Sequence, residues 1–124
     1  MPASTVDVLL VHCDPDFVSS VADVLRKHAF TVLAAATSDE VTTVVAQGCT
    51  PRTVLLDVTH RALESRRLVR TLRGEPSCAE TRFLVLARAS GNPPLGDVAV
   101  DGALFKPLDV RELVEVLRAQ PRQA

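Results

Sequence analysis

The sequence predicts an α/β fold, a parallel five-stranded sheet with helices on both faces. Three observations carry that expectation. Short β-branched apolar runs alternate about five times with longer segments of helical period. The first of those runs, Val6–Val11, is apolar without a polar alternation, as a strand covered on both faces should be. No long linker or low-complexity tract interrupts the series, so each crossover is short and right-handed.

Along the chain, Asp14-Pro15 offers a cap and a first-turn proline after the first strand. Phe17, Val21, Val24 and Leu25 follow as one helical stripe that ends near His28. Thr31–Ala35 is a second strand. Ser38 is placed to cap the next helix, with Val41, Val44 and Val45 inward and Gly48 closing it. Pro51 precedes a third strand, Thr53–Leu56, which runs into Asp57. Leu68, Val69 and Leu72 mark a third helix stopped by Gly74 and Pro76, and Phe83–Leu86 is the fourth strand.

The segment Ser90–Gly96 joins two glycines with two prolines, so a fourth helix there is expected to be short or irregular. Ala103–Phe105 is a short fifth strand. Asp109 and Glu112 then read as a capping box for a last helix whose buried stripe is Val110, Leu113, Val114 and Leu117. Gln120–Ala124 reads as a polar tail. A single domain over residues 1–124, with its ordered core at about 6–119, is the expected organisation.

Composition narrows the function. Apolar residues make up 47% and charged residues 23% of 124, with a formal charge of −1, so nothing pulls the chain globally toward nucleic acid or anionic membrane. The apolar run at the N-terminus stops at His12, too short for a signal peptide or a membrane span. Cys13, Cys49 and Cys78 are odd in number and widely spaced, which fits small buried hydrophobes in a reducing cytoplasm. Cys49 and Cys78 carry no functional expectation, and His28 reads as a structural cation at a helix C-terminus.

In a sheet of this kind function gathers at the carboxyl ends of the strands. The polar residues there are His12, Cys13 and Asp14, then Asp57, then Lys106. In that frame three stretches matter: VLLVHCDPDF (Val8–Phe17), VLLD ending at Asp57, and FKPLDVREL (Phe105–Leu113). In order and at these distances they resemble the receiver domain, the CheY-like response-regulator module of bacterial two-component systems, over nearly the whole chain.

The resemblance implies a flavodoxin-like three-layer fold with strand order 2-1-3-4-5. It implies that Asp57 is the phospho-acceptor, that Lys106 contacts the phosphoryl oxygens, and that the bond to Pro107 is cis. It also exposes departures. The two acids that end the family's first strand and hold magnesium are here His12 and Cys13. The switch hydroxyl is Ala87 and the switch aromatic is Ala103. Arg61 and Ser65 stand in the turn after Asp57, where the family carries Pro and Gly.

The family pocket, three carboxylates and one lysine, is doubly negative and invites a divalent cation. Asp57 and Lys106 sum to zero with His12 neutral, and a thiol and an imidazole offer magnesium little. Asp14 restores one acid only if the turn shifts by a residue. The expectation is therefore a divergent, pseudo-receiver type that stands alone, needs no cofactor, is not an enzyme beyond any autocatalytic transfer onto Asp57, and acts by protein–protein contact. Its expected partners are a histidine kinase, a phosphotransfer protein or a downstream effector, not nucleic acid or membrane. The first helix (Asp16, Phe17, Ser20) and the last helix with Asn92–Gly96 are the expected surfaces.

Two alternatives stay open. One is a conventional phospho-accepting receiver that uses Asp57, with Mg2+ held by Asp57 and Asp14. The other is a thiol–imidazole metal or redox sensor built from His12, Cys13 and Asp57 with His60 nearby. Arg66, Arg70 and Arg73, with Arg61 and Arg67, read as a solvated helix face.

Overall fold

A computed structural model of the chain describes residues 4–59, 61–88, 95–96 and 98–119. The elements run β1 (Ser4–Val11), α1 (Pro15–Lys27), β2 (Val32–Ala35), α2 (Ser38–Ala46), β3 (Cys49–Asp57), α3 (Ala62–Arg73), a 3-10 turn at Pro76–Cys78, β4 (Arg82–Arg88), β5 (Gly102–Lys106) and α4 (Val110–Arg118). The strands form one sheet in the order 2-1-3-4-5, and all four pairings are parallel. The expected fold class is the observed one.

Strand alternation divides the core into two layers. On one face Leu9, Val11, Val54, Leu56 and Val85 meet Val41 and Val45 of α2 and Leu68, Val69 and Leu72 of α3. On the other, Val8, Leu10, Leu55, Leu84 and Leu86 meet Val21 and Leu25 of α1 and Leu113 and Leu117 of α4. The apolar runs carry no polar alternation because both parities of the central strands are fully buried.

Several boundaries differ from the sequence reading for local reasons. β3 begins at Cys49 and passes through Pro51. Proline is tolerated there because β4 joins β3 only from Thr53 onward, and Thr81 Oγ1 donates to the Pro51 carbonyl at 2.7 Å on the open side. Thr37, not Ser38, caps α2, its hydroxyl accepting from the Glu40 N–H at 3.2 Å. Gly48 follows that helix with φ at 98°, the left-handed turn glycine makes readily.

Asp14 has the extended backbone of an N-cap and Pro15 opens α1, yet the Asp14 side chain makes no capping bond. Asp109 caps α4 through the Arg111 N–H at 2.9 Å, so the box with Glu112 is replaced by a shorter one-sided cap. β2 starts one residue late because Thr31 is tied to Asp7, its N–H donating to Oδ2 at 2.8 Å. The α3 arginines do more than face water. Arg73 lies 5.2 Å from the Phe83 ring centroid and Arg61 donates to Glu64 at 3.1 Å.

Residues 95–96 and 98–100 contain no helix, while Leu95 and Val98 close the core beneath them. The remainder of the fourth-helix expectation (Ser90–Pro94), His60 and the Gln120–Ala124 tail lie outside the described residues. Among the described residues no helix is long and apolar enough to cross a membrane.

Candidate functional site at the carboxyl edge

Asp57 ends β3 and points to the face covered by α1 and α4, since Leu55 of the same parity lies in that layer. Its side chain is 13% exposed. Lys106 ends β5, two strands away, and its Nζ stands 2.8 Å from Asp57 Oδ2. The other carboxylate oxygen accepts the Thr59 N–H at 3.0 Å, a tight turn that fixes the side chain before α3 begins. Burial acts to raise the Asp57 pKa, but the Lys106 ammonium and the Thr59 N–H and hydroxyl outweigh it and hold the carboxyl below its ordinary range. The Thr59 hydroxyl lies near the carboxylate without the alignment of a full hydrogen bond. The Lys106–Pro107 peptide bond is cis.

His12 and Cys13 leave β1 in different directions. His12 adopts φ of 61°, which takes its ring into the α2–α3 side of the sheet. The imidazole is fully enclosed, with Nδ1 3.3 Å from Ser65 Oγ and Nε2 3.4 Å from Ser38 Oγ. Glu64 Oε2 is 3.7 Å from Nε2. Burial lowers the His12 pKa, with Arg61 acting the same way and Glu64 and Asp57 opposing. The neutral ring suits the site because one serine donates to it while the other accepts.

Cys13 packs into the opposite layer, its Sγ 3.5 Å from the Val11 carbonyl oxygen. Burial, and then the Asp57 charge, push its thiol up to about 12. Asp14 is exposed, at the start of α1. Ala87 is buried, facing the α3 layer, and Ala103 is exposed on β5 beside Val85. Of the sequence-derived candidates, the structure joins Asp57, Lys106 and Cys13, turns His12 toward α2 and α3, and leaves Asp14 in solvent.

Two residues were missed as site components. Ser65 was read as a departure in a turn, yet it is a wholly buried polar side chain on the His12 ring. Its place inside the stripe formed with Leu68, Val69 and Leu72 was the available signal. Phe105 was read only as strand, yet it is 45% exposed on the same side of β5 as Ala103.

The chain superposes on the chemotaxis response regulator CheY4 of Vibrio cholerae with a TM-score of 0.75 at 22% identity, covering 94% of this chain and 97% of that one. A two-component response regulator from Legionella pneumophila gives 0.78 at 21% identity, with 93% and 99% covered. The receiver domain of a Pseudomonas aeruginosa sensor histidine kinase, solved with magnesium in its active-site cleft, gives 0.77 at 18% identity, with 93% and 96% covered.

The fold is that of a receiver domain.

No protein-family model matches the sequence, and no curated protein matches it. The receiver fold raises the question of magnesium, and the donors present do not fit that ion. Of the side chains that follow β1, Cys13 is a neutral thiol, His12 is a ring committed to two serines, and Asp14 is exposed to solvent. Magnesium needs oxygen ligands in a near-octahedral shell. Among the described residues no three His, Cys, Asp or Glu side chains are grouped to hold a metal.

Proposed function

We propose that this chain is a divergent receiver module of two-component signalling that works through protein–protein contact without magnesium-assisted phosphorylation. The observation that carries the reading is the closed pair at the strand ends, with Lys106 Nζ 2.8 Å from Asp57, where among the described residues no group of three His, Cys, Asp or Glu could hold a metal ion. Phosphoryl transfer depends on positioning and on neutralising the charged oxygens. Here the one lysine is already engaged by the acceptor. Alanine at 87 and 103 removes the hydroxyl and the aromatic through which the family resemblance would pass a phosphoryl signal onward.

Contact surfaces follow from exposure. Asp16 and Ser20 of α1 are exposed beside half-buried Phe17, a surface suited to a histidine kinase or phosphotransfer protein. On the other side, Phe105 and Ala103 of β5 lie open, a surface suited to a downstream effector.

The test is intact-mass measurement after incubation with acetyl phosphate and magnesium. The expected result is no phosphoryl adduct, with partner capture from pull-downs unchanged in Asp57→Ala. An adduct on the wild type that disappears in Asp57→Asn overturns the reading and favours the conventional phospho-acceptor. The thiol–imidazole sensor has less support, because the His12 ring and the Cys13 thiol lie in different layers of the fold.

A further inference from the structure

The strands end unevenly at the amino edge of the sheet, opposite Asp57. β1 begins at Ser4 and β3 at Cys49, and the two pair from their first residues. β2 joins β1 only from Val8, and β4 joins β3 only from Thr53. A two-stranded ledge therefore overruns its neighbours on both sides. The α1–β2 turn, the segment after the 3-10 turn and the end of α4 stand around it and form a cleft of about 670 Å3. That volume falls within the range of small-molecule sites. The Thr81 hydroxyl donates to the Pro51 carbonyl at 2.7 Å and ties one wall to the ledge.

Charge in the cleft is unbalanced. Arg82 pairs with Thr53 across the strands, so its side chain projects to the α1–α4 side of the sheet with Leu84 and Leu86. Arg118, in the last turn of α4, lines the same cleft. Among the described residues neither arginine makes an ion pair, and neither does Glu80 of the same lining. Arg52 and Asp7 answer each other at 3.9 Å, and Asp7 Oδ2 accepts from the Thr31 N–H at 2.8 Å and its hydroxyl at 3.1 Å. Two arginines against one glutamate leave one positive charge in excess. The carbonyl end of α4 offsets part of Arg118, so a single negative charge balances the cleft and the double charge of a phosphate monoester overshoots.

We propose that the amino-edge cleft binds a small organic monocarboxylic acid, its carboxylate on Arg82 and Arg118 and its apolar body against Phe30, Pro51 and Leu117. A guanidinium is a planar fork of donors that matches a carboxylate. The three apolar residues line the same cleft, with Pro51 and Leu117 buried and Phe30 packed against the α1–α4 core layer. Four strand residues, roughly 13 Å, separate Thr53 from Asp57 along β3. The site is therefore independent of the state of that carboxylate.

The test is an amide NMR titration of the whole chain with 4-phenylbutyrate at pH 7 and constant ionic strength, with the neutral 4-phenylbutanol and with phenyl phosphate in parallel. The expected result is saturable shifts at Thr53, Arg82 and Leu117, with none at Asp57 or Lys106. Arg82→Gln should weaken binding roughly tenfold, and the neutral alcohol should bind weaker than the acid by a similar factor. Arg118→Gln, at an exposed position, should weaken binding several-fold and keeps the test valid if the Arg82 variant folds poorly. Arg88→Gln, at the opposite edge, should leave binding unchanged. No saturable shift, or affinity unaffected by Arg118→Gln, overturns the site. Equal binding of the alcohol overturns the carboxylate assignment by showing an apolar cleft only, and tighter binding of phenyl phosphate overturns the monoanion assignment.

Discussion

The hydroxyl of Ser65, buried on α3, lies 3.3 Å from Nδ1 of His12, which leaves the end of β1. Sequence separates these two by fifty-three positions, and the imidazole between them reaches Ser38 at the start of α2 as well. One ring therefore ties a strand end to two helices on the α2–α3 side of the sheet. Removing the Ser65 hydroxyl leaves a buried ring nitrogen without its partner. Ser65→Ala is expected to lose about 1–3 kcal/mol of stability. Urea unfolding checks this, and a loss under half a kcal/mol means that the contact is incidental.

The same ring sets a pH dependence. His12 has a folded pKa below its ordinary 6.5, so the unfolded chain takes up the proton first as pH falls. The stability that the neutral ring confers is complete above 6.5 and is lost as pH falls from there through the lower folded pKa. Unfolding free energy measured between pH 7.5 and 5 should therefore decline in the wild type and stay flatter in His12→Asn. Equal slopes for the two proteins place the dependence on another group.

Asp57 gives a second window, lower on the scale. Its folded pKa lies below 3.8, so its contribution is present above that value and is lost as pH falls through the folded pKa. Lys106→Met removes the ammonium and should raise the Asp57 pKa, read from its carboxyl carbon by NMR. At pH 7 the stability loss should be roughly 1 kcal/mol, because Lys106 is about a third exposed and solvent screens the pair. A pKa unmoved by that substitution means that the Thr59 N–H alone holds the carboxylate.

The fold was legible because its signals are local and repeated. Five apolar runs, proline at the first turn of α1 and glycine after α2 each state a boundary, and the strand order came with the resemblance carried by Asp57 and the Phe105–Leu113 stretch. The placing of Asp57 and Lys106 at the carboxyl ends of β3 and β5 came with that resemblance and not from a local signal, and the structure sets them 2.8 Å apart. The position of the His12 ring was not legible. It depends on a single left-handed residue, φ 61°, which no propensity assigns to histidine at that place, and on a serine whose importance comes only from burial. Caps failed in the same way. Asp14, Ser38 and Thr37 are all suitable residue types, and only the backbone angles decide which one caps.

Those caps can be separated experimentally. Thr37→Ala should lose about 1 kcal/mol, since it frees the Glu40 N–H. Asp14→Ala should stay within about half a kcal/mol, because its side chain caps nothing. Circular dichroism with denaturant titration distinguishes the two, and equal losses contradict the assigned N-cap geometry.

Cys13 provides a chemical reading of the pocket charge. With its pKa raised from 9.0 to about 12, the thiolate fraction at pH 8 falls roughly a thousandfold relative to an unperturbed thiol. Iodoacetamide should therefore label Cys13 far more slowly in the folded protein than in urea. Burial alone also slows labelling by limiting access, so the decisive comparison is with Asp57→Asn at the same pH. The Asp57 charge is the second cause of the upward shift, and its removal should lower the pKa and speed labelling while the enclosure of the sulfur stays the same. Site-resolved mass spectrometry gives both rates. Unchanged labelling in Asp57→Asn would mean that enclosure governs this thiol and that the aspartate charge does not reach it, which would also weaken the case for Asp57 as the dominant anion at the strand ends.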